Sequence, residues 1–177
     1  GADVLQLRQK PRPDPALARE IRAAAGDALF IVNDDVAVSL ASAADGVHLG
    51  LEDLPIAEAR RIGAGIIGAT SHSLAEARRA KAAGADYVSC GPMFATPLKP
   101  HLEPLGFTYL AALKKLGLPF FCIGGITREN ASPTLVRAAV CAGVIGAKDV
   151  AAAARSVRAK LTSTASSSRG RRDTAAR

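Results

Sequence analysis

The chain has 177 residues, 49 % of them hydrophobic and 22 % charged, so there is ample material for a buried core and disorder throughout is excluded. Aromatic residues make up only 4 % and Trp is absent, so that core is aliphatic. The net charge of +7 suggests a polyanion partner until it is divided along the chain. More than half of the surplus lies in Lys160, Arg169, Arg171, Arg172 and Arg177, opposed there by Asp173. This stretch has no aromatic platform for bases, which argues against nucleic-acid binding. Residues 1–160 are therefore read as one domain and 161–177 as a basic, Ser/Arg-rich disordered tail. No uncharged apolar run is long enough to span a membrane, and no basic-then-apolar leader opens the chain. Cys90, Cys122 and Cys141 are odd in number, widely spaced and set in apolar runs. They read as reduced core thiols of a cytoplasmic protein.

Taken in chain order, short apolar runs alternate with amphipathic stretches. Val4–Leu7 is the first strand, followed by a helix from Pro15 to Ala25. Strands at Leu29–Val32, Gly46–Leu49, Ile66–Ala69 and Tyr87–Cys90 alternate with helices after Asp35, after Leu54-Pro55 and over Leu74–Ala83. A long loop, a helix near Tyr109–Leu116, a strand at Phe120–Ile123 and a helix after Thr127 follow. A seventh strand at Val140–Ile145 and a last helix from Asp149 complete the series. Continuous β-branched runs separated by single helices predict parallel strands buried on both faces. Polar and Gly-rich residues follow nearly every strand, as at the mouth of a closed barrel rather than at one switch point of an open sheet. The prediction is an α/β fold, a (β/α)8 TIM-type barrel that is incomplete, with seven strands.

Several clusters could carry chemistry at that mouth. Gln6-Leu7-Arg8-Gln9-Lys10 ends the first strand with two cations, which a solvated strand end explains equally well. Asn33-Asp34-Asp35 follows the second strand, where helix capping is the plain reading. Asp34 and Asp53 nevertheless fall after adjacent strands and could share a hard cation through oxygen ligands. The irregular loop Gly91–Lys99 is long enough to suggest function, with Lys99 as an anion clamp. Gly124-Gly125 gives either close ligand approach or packing room. Gly143–Ala147 leads into the last helix, a position suited to phosphate. His48 alternates with apolar neighbours as a structural histidine does, His72 stands where it could hold a loop, and His101 reads as exposed. The three histidines do not form a zinc pattern.

The order QLRQK, VNDD, DGVHLGLEDLP, IGATSHS, GPMFATPLK, IGGITRENA and GVIGA resembles the thiamine phosphate synthase family from Gly1 to about Ala159. The resemblance implies a Mg²⁺-dependent transferase that joins 4-amino-2-methyl-5-pyrimidinylmethyl diphosphate to a thiazole phosphate, releasing diphosphate. It implies that Gln6, Leu7, Arg8, Gln9, Lys10, Asn33, Thr70 and Lys99 hold the pyrimidine diphosphate, with Arg8, Lys10, Thr70 and Lys99 acting in catalysis. Asp34 and Asp53 would hold Mg²⁺, and Thr96, Pro97, Leu98, Gly125, Ile145 and Gly146 the thiazole phosphate. Leu98, Thr70, Gly146, Gln9 and Leu51 depart from the family pattern, Leu98 and Gly146 each removing a hydroxyl. The segment Arg137–Ala142 also lacks the usual pattern, and the family's first strand and helix do not precede Val4. Strand edges at Val4–Arg8 and Val140–Ile145 are thereby expected to be unpaired and to favour self-association. Two rival readings stand beside the synthase. One is a thiazole tautomerase-like isomerase, against which Asn33-Asp34 and Pro92 speak. The other is a degenerate, non-catalytic barrel that binds a phosphorylated ligand.

Overall fold

A computed structural model of the chain describes residues 2–97 and 100–163. Seven parallel strands pair in sequence order: β1 Val4–Leu7, β2 Leu29–Asn33, β3 Gly46–Leu49, β4 Ile66–Ser71, β5 Tyr87–Cys90, β6 Phe120–Ile123 and β7 Ala138–Ala139. The helices between them are α1 Pro15–Ala24, α2 Val36–Ala41, α3 Ile56–Arg61, α4 Leu74–Ala82 and α5 Gly106–Leu116. After β7 come α6 Ala142–Ile145 and α7 Val150–Thr162. This is the expected curled, incomplete barrel, and among the described residues β1 pairs only with β2 and β7 only with β6. Across the gap, Arg158 on α7 donates to Asp3 just before β1 at 2.8 Å. No helix of the described residues is long and apolar enough to cross a membrane.

Local chemistry sets the helix starts. Asp14, Asp35, Ser73 and Asp149 each accept a backbone N–H from the first turn of the helix that follows. Alternation along the strands then divides the sheet into two faces. Val47, Leu49 and Ile67 pack outward against Val36 and Ala59, while Val88, Cys90 and Cys122 pack outward with Ala77, Leu110 and Leu113. Leu7, Phe30 and Val32 do the same with Ala18 and Val38. Hydrophobic burial is thus spent on the helix-facing side, and the alternate positions face the barrel interior.

Three expectations need correction. Val140–Ile145 is not the seventh strand, because pairing with β6 ends at Ala139 and a single helical turn follows. Gly143 lies where a Cβ would stand 3.1 Å from the Ile126 carbonyl, so the chain turns against that segment. A short apolar run does not by its periodicity distinguish strand from helix. The region after Thr127 forms only a 3₁₀ turn at Pro133–Leu135, since Pro133 lacks a donor and Val136 adopts φ of 62°. Cys141 is exposed, whereas Cys90 and Cys122 are buried on adjacent strands with sulfurs 4.0 Å apart. The interior face is tight at Gly68, where a Cβ would meet Tyr87 Cζ at 2.0 Å. Gly68→Ala should therefore expel the Tyr87 ring and lower stability by about 1–3 kcal/mol, read as a lower midpoint in chemical denaturation with little change in slope.

Candidate active site

The C-terminal ends of β1 to β4 bring the charged residues together. Asn33 ends β2, and the two carboxylates after it divide the work. Asp35 caps α2 through Val38 N–H at 2.9 Å and accepts from Arg12 Nε at 2.6 Å. Asp34 takes the left-handed conformation, φ 69°, an arrangement Asp tolerates better than most residues. Its side chain turns to the mouth, where it is ion-paired with Lys10 and hydrogen-bonded to the carboxyl of Asp53. Asp53 is oriented by the Gly50 N–H, 2.6 Å from its Oδ2.

The two carboxyls are driven apart in acidity. Burial pushes Asp34 up, but the bonds to Lys10 and Asp53 and the charges of Lys10 and Arg8 outweigh it, leaving Asp34 below the usual range. Burial pushes Asp53 up and the Asp34 charge adds to this; the Gly50 N–H opposes it, and Asp53 stays above the usual range. Asp34 is thus the readier of the two to ionise, and a divalent cation between them would offset their repulsion. Two carboxylates are also the usual protein share of a Mg²⁺ site completed by water and phosphate. No group of three or more His, Cys, Asp or Glu among the described residues offers a competing site.

Beneath the charges lies a buried polar row in which sequence reasoning marked Thr70 as a substrate residue and His48 as a structural histidine. His48 on β3 is 6 % exposed. Its Nδ1 lies 3.1 Å from Tyr87 Oη, and its Nε2 lies 3.2 Å from both Thr70 Oγ1 and Ser89 Oγ. The His48 ring stacks on Tyr87 with centroids 5.5 Å apart, and Tyr87 meets Phe121 edge-on at 5.3 Å. Burial lowers the His48 pKa to about 4, against which the charge of Asp34 works. His48 is therefore neutral at pH 7. The signal available in the sequence was positional: in register, His48 pairs with Gly68, Gly68 with Tyr87, and Thr70 with Ser89.

Other expected site residues have different surroundings. Leu7 is buried in the outer core, and Gln9 Oε1 accepts from the Asp14 N–H at 2.9 Å, tying down the loop before α1. Gln6 and Arg8 are exposed at the strand end. The loop after β5 is bonded to the end of β6 through Met93 N–H to Ile123 O and Phe94 N–H to Gly124 O. His72 Nδ1 meets Gly91 O at 2.6 Å and holds that loop as expected, and His101 is exposed. A Cβ on Gly125 would stand 2.7 Å from Ala95 O at φ 65°, so packing of this loop requires the glycine. Asn130 Nδ2 donates to Gly125 O and its Oδ1 accepts from Thr127 N–H. These bonds account for the Asn of the IGGITRENA segment. Thr96 and Pro97 lie on the same loop; Leu98 and Lys99 lie outside the described residues. Ile145 ends α6, is 67 % exposed, and precedes Gly146 at that helix's C-terminus. The groups at the end of β7 are instead Val140 and Cys141.

Known proteins resemble this chain along most of its length. The family model described as thiamine monophosphate synthase matches residues 1–153. The chain is 48 % identical to the thiamine-phosphate synthase of Methanoculleus marisnigri, covering 91 % of this chain and 82 % of that protein. It is 42 % identical to the thiamine-phosphate synthase of Chloroflexus aurantiacus, covering 93 % and 82 %. The structure of thiamine phosphate pyrophosphorylase from Pyrococcus furiosus superposes with a TM-score of 0.79 at 36 % identity, over 91 % of this chain and 83 % of that one. A chain with this barrel, this order of strand-end residues and these relatives belongs to the thiamine monophosphate synthase family of enzymes.

Proposed function

We propose that this chain couples a pyrimidinylmethyl diphosphate to a thiazole phosphate, forming thiamine phosphate and diphosphate. The observation that carries this reading is the meeting of Lys10, Asp34 and Asp53 over the buried row of His48, Thr70 and Ser89. Cations and oxygen ligands there suit a diphosphate, and the neutral hydroxyls below suit an uncharged ring.

The reaction breaks the bond between the methylene carbon and the diphosphate oxygen, the electron pair leaving with oxygen. The amino group of the pyrimidine delocalises the positive charge left on carbon, and the thiazole nitrogen then supplies the new bonding pair. Arg8, Lys10 and Lys99 neutralise the departing charge. Asp34 and Asp53 would hold Mg²⁺, which supplies further neutralisation when bound. Asn33 and Thr70 orient the pyrimidine diphosphate, and Thr96, Pro97 and the Gly125 backbone receive the thiazole phosphate. Little proton transfer is needed, which accords with a neutral His48 whose two nitrogens are both engaged. Positioning does most of the work.

Incubation of the protein with both substrates and Mg²⁺ should yield thiamine phosphate and diphosphate. Isomerised thiazole phosphate without coupling would instead support the tautomerase reading, and ligand binding without turnover the degenerate barrel. Lys10→Met should lower kcat by about 10²–10³, the scale for removing one donor to a developing anion. Titration offers a second check. A histidine whose folded pKa lies near 4, below the ordinary 6.5, adds stability that is present above 6.5 and lost as pH falls toward 4. In NMR spectra the His48 ring protons should stay unshifted through 6.5 and move only near 4; an inflection at 6.5 would contradict the buried, neutral assignment.

A further inference from the structure

We propose that His72 is a positioning residue for the second substrate: its bond to the Gly91 carbonyl ties the loop that receives the thiazole phosphate to the strand that receives the pyrimidine diphosphate. The inference rests on the reading of Thr70, and of Thr96 and Pro97, as contacts to those two substrates. His72 acts on the thiazole phosphate only through the backbone of the loop.

The direction of this bond follows from its acceptor. A carbonyl oxygen has no proton to give, so the ring nitrogen 2.6 Å from Gly91 O must carry one. His72 therefore holds a proton on Nδ1. Its backbone is fixed as well. The His72 N–H donates to Glu76 Oε2 at 2.6 Å, and the Glu76 N–H donates to Ser73 Oγ at 3.2 Å. This resembles a capping box, with the carboxylate reaching one residue further back than the cap. The ring is thus anchored to the first turn of α4.

Gly91 is where the loop needs such a tie. The pairing of β4 with β5 ends at Ser71 and Cys90. The next carbonyl, Gly91 O, lies beyond that ladder, and the His72 side chain takes it. Gly91 is buried, and a buried carbonyl without a donor is costly. On the β6 side the space is closed, because a Cβ on Gly91 would collide with the Ile123 carbonyl. Met93 N–H on Ile123 O and Phe94 N–H on Gly124 O then hold the loop to β6. The His72 bond holds it to the end of β4, two residues beyond Thr70. The start of the loop is therefore clamped between both neighbouring strand ends, and Thr96 and Pro97 extend from that clamp.

Two measurements test this. The ring-nitrogen resonances of ¹⁵N-labelled protein should show a protonated His72 Nδ1, and a bare Nδ1 overturns the proposal. Calorimetry then compares the binding of thiazole phosphate with that of the pyrimidinylmethyl diphosphate and Mg²⁺. His72→Phe keeps a ring without the donor and should weaken thiazole phosphate binding about tenfold, the scale of one buried hydrogen bond left unmade. Binding of the diphosphate should change little. His72→Asn carries an amide N–H as many bonds from Cα as Nδ1, and it should restore thiazole phosphate binding. In turnover the same split should appear as a raised KM for thiazole phosphate, with kcat and the KM for the diphosphate nearly unchanged. Equal losses for both substrates, or no rescue by His72→Asn, would mean that His72 serves the fold alone and overturn the proposal. Should His72→Phe not fold, His72→Gln, whose amide lies one bond too far, is read in its place. An unaltered protein that binds thiazole phosphate through His72 but forms no thiamine phosphate overturns the functional reading and leaves this role standing. One that binds no thiazole phosphate overturns both.

Discussion

The ring of Tyr87 lying across Gly68 is the contact on which the interior of this barrel depends. A parallel strand must present alternate residues to both faces, and here the outer face is taken up by aliphatic packing on the helices. The inner face is left to close around whatever fills it. An aromatic ring crossing a glycine fills it without a second bulky side chain, and it brings a hydroxyl to 3.1 Å from His48. From that point the polar row follows, since the register of β3, β4 and β5 stacks His48, Thr70 and Ser89 toward the same end. The interior is therefore neutral below and charged above.

The change from neutral to charged occurs within two residues of β2. Asn33 is buried, Asp34 turns left-handed toward Lys10, and Asp35 turns back to cap α2. A right-handed residue at position 34 would send its side chain elsewhere, and the pairing with Asp53 would be lost. The site thus depends on one unusual backbone angle, held by the Asp34 N–H on His48 O at 2.8 Å and the Asp35 N–H on Asn33 O at 2.9 Å.

Much of this was legible in the residues. Six of the seven strands follow from short apolar runs, because such runs suit a sheet covered on both faces. Asp34 and Asp53 were legible from their place after adjacent strands, and the resemblance supplied the chemistry. What escaped sequence reasoning depended on long-range geometry. Val140–Ile145 is apolar, yet pairing with β6 ends at Ala139, Ala142–Ile145 turns helical, and Gly143 packs against Ile126. Leu7 sits within a polar motif but faces the outer core. Gly125, open to a ligand-binding role in sequence, is required by the approach of Ala95. Tyr87 and Ser89 on β5 reach His48 on β3 across the strand between them, and only the register of the three strands reveals this.

The central claim is that the strand-end carboxylates and Lys10 form one site for a metal-bound diphosphate. Anomalous diffraction from crystals grown with Mn²⁺ and the pyrimidinylmethyl diphosphate tests it most directly. The account predicts a single ion between Asp34 and Asp53, with Lys10 moved from Asp34 onto the diphosphate. An ion and diphosphate bound elsewhere, with Lys10 still paired to Asp34, would contradict it.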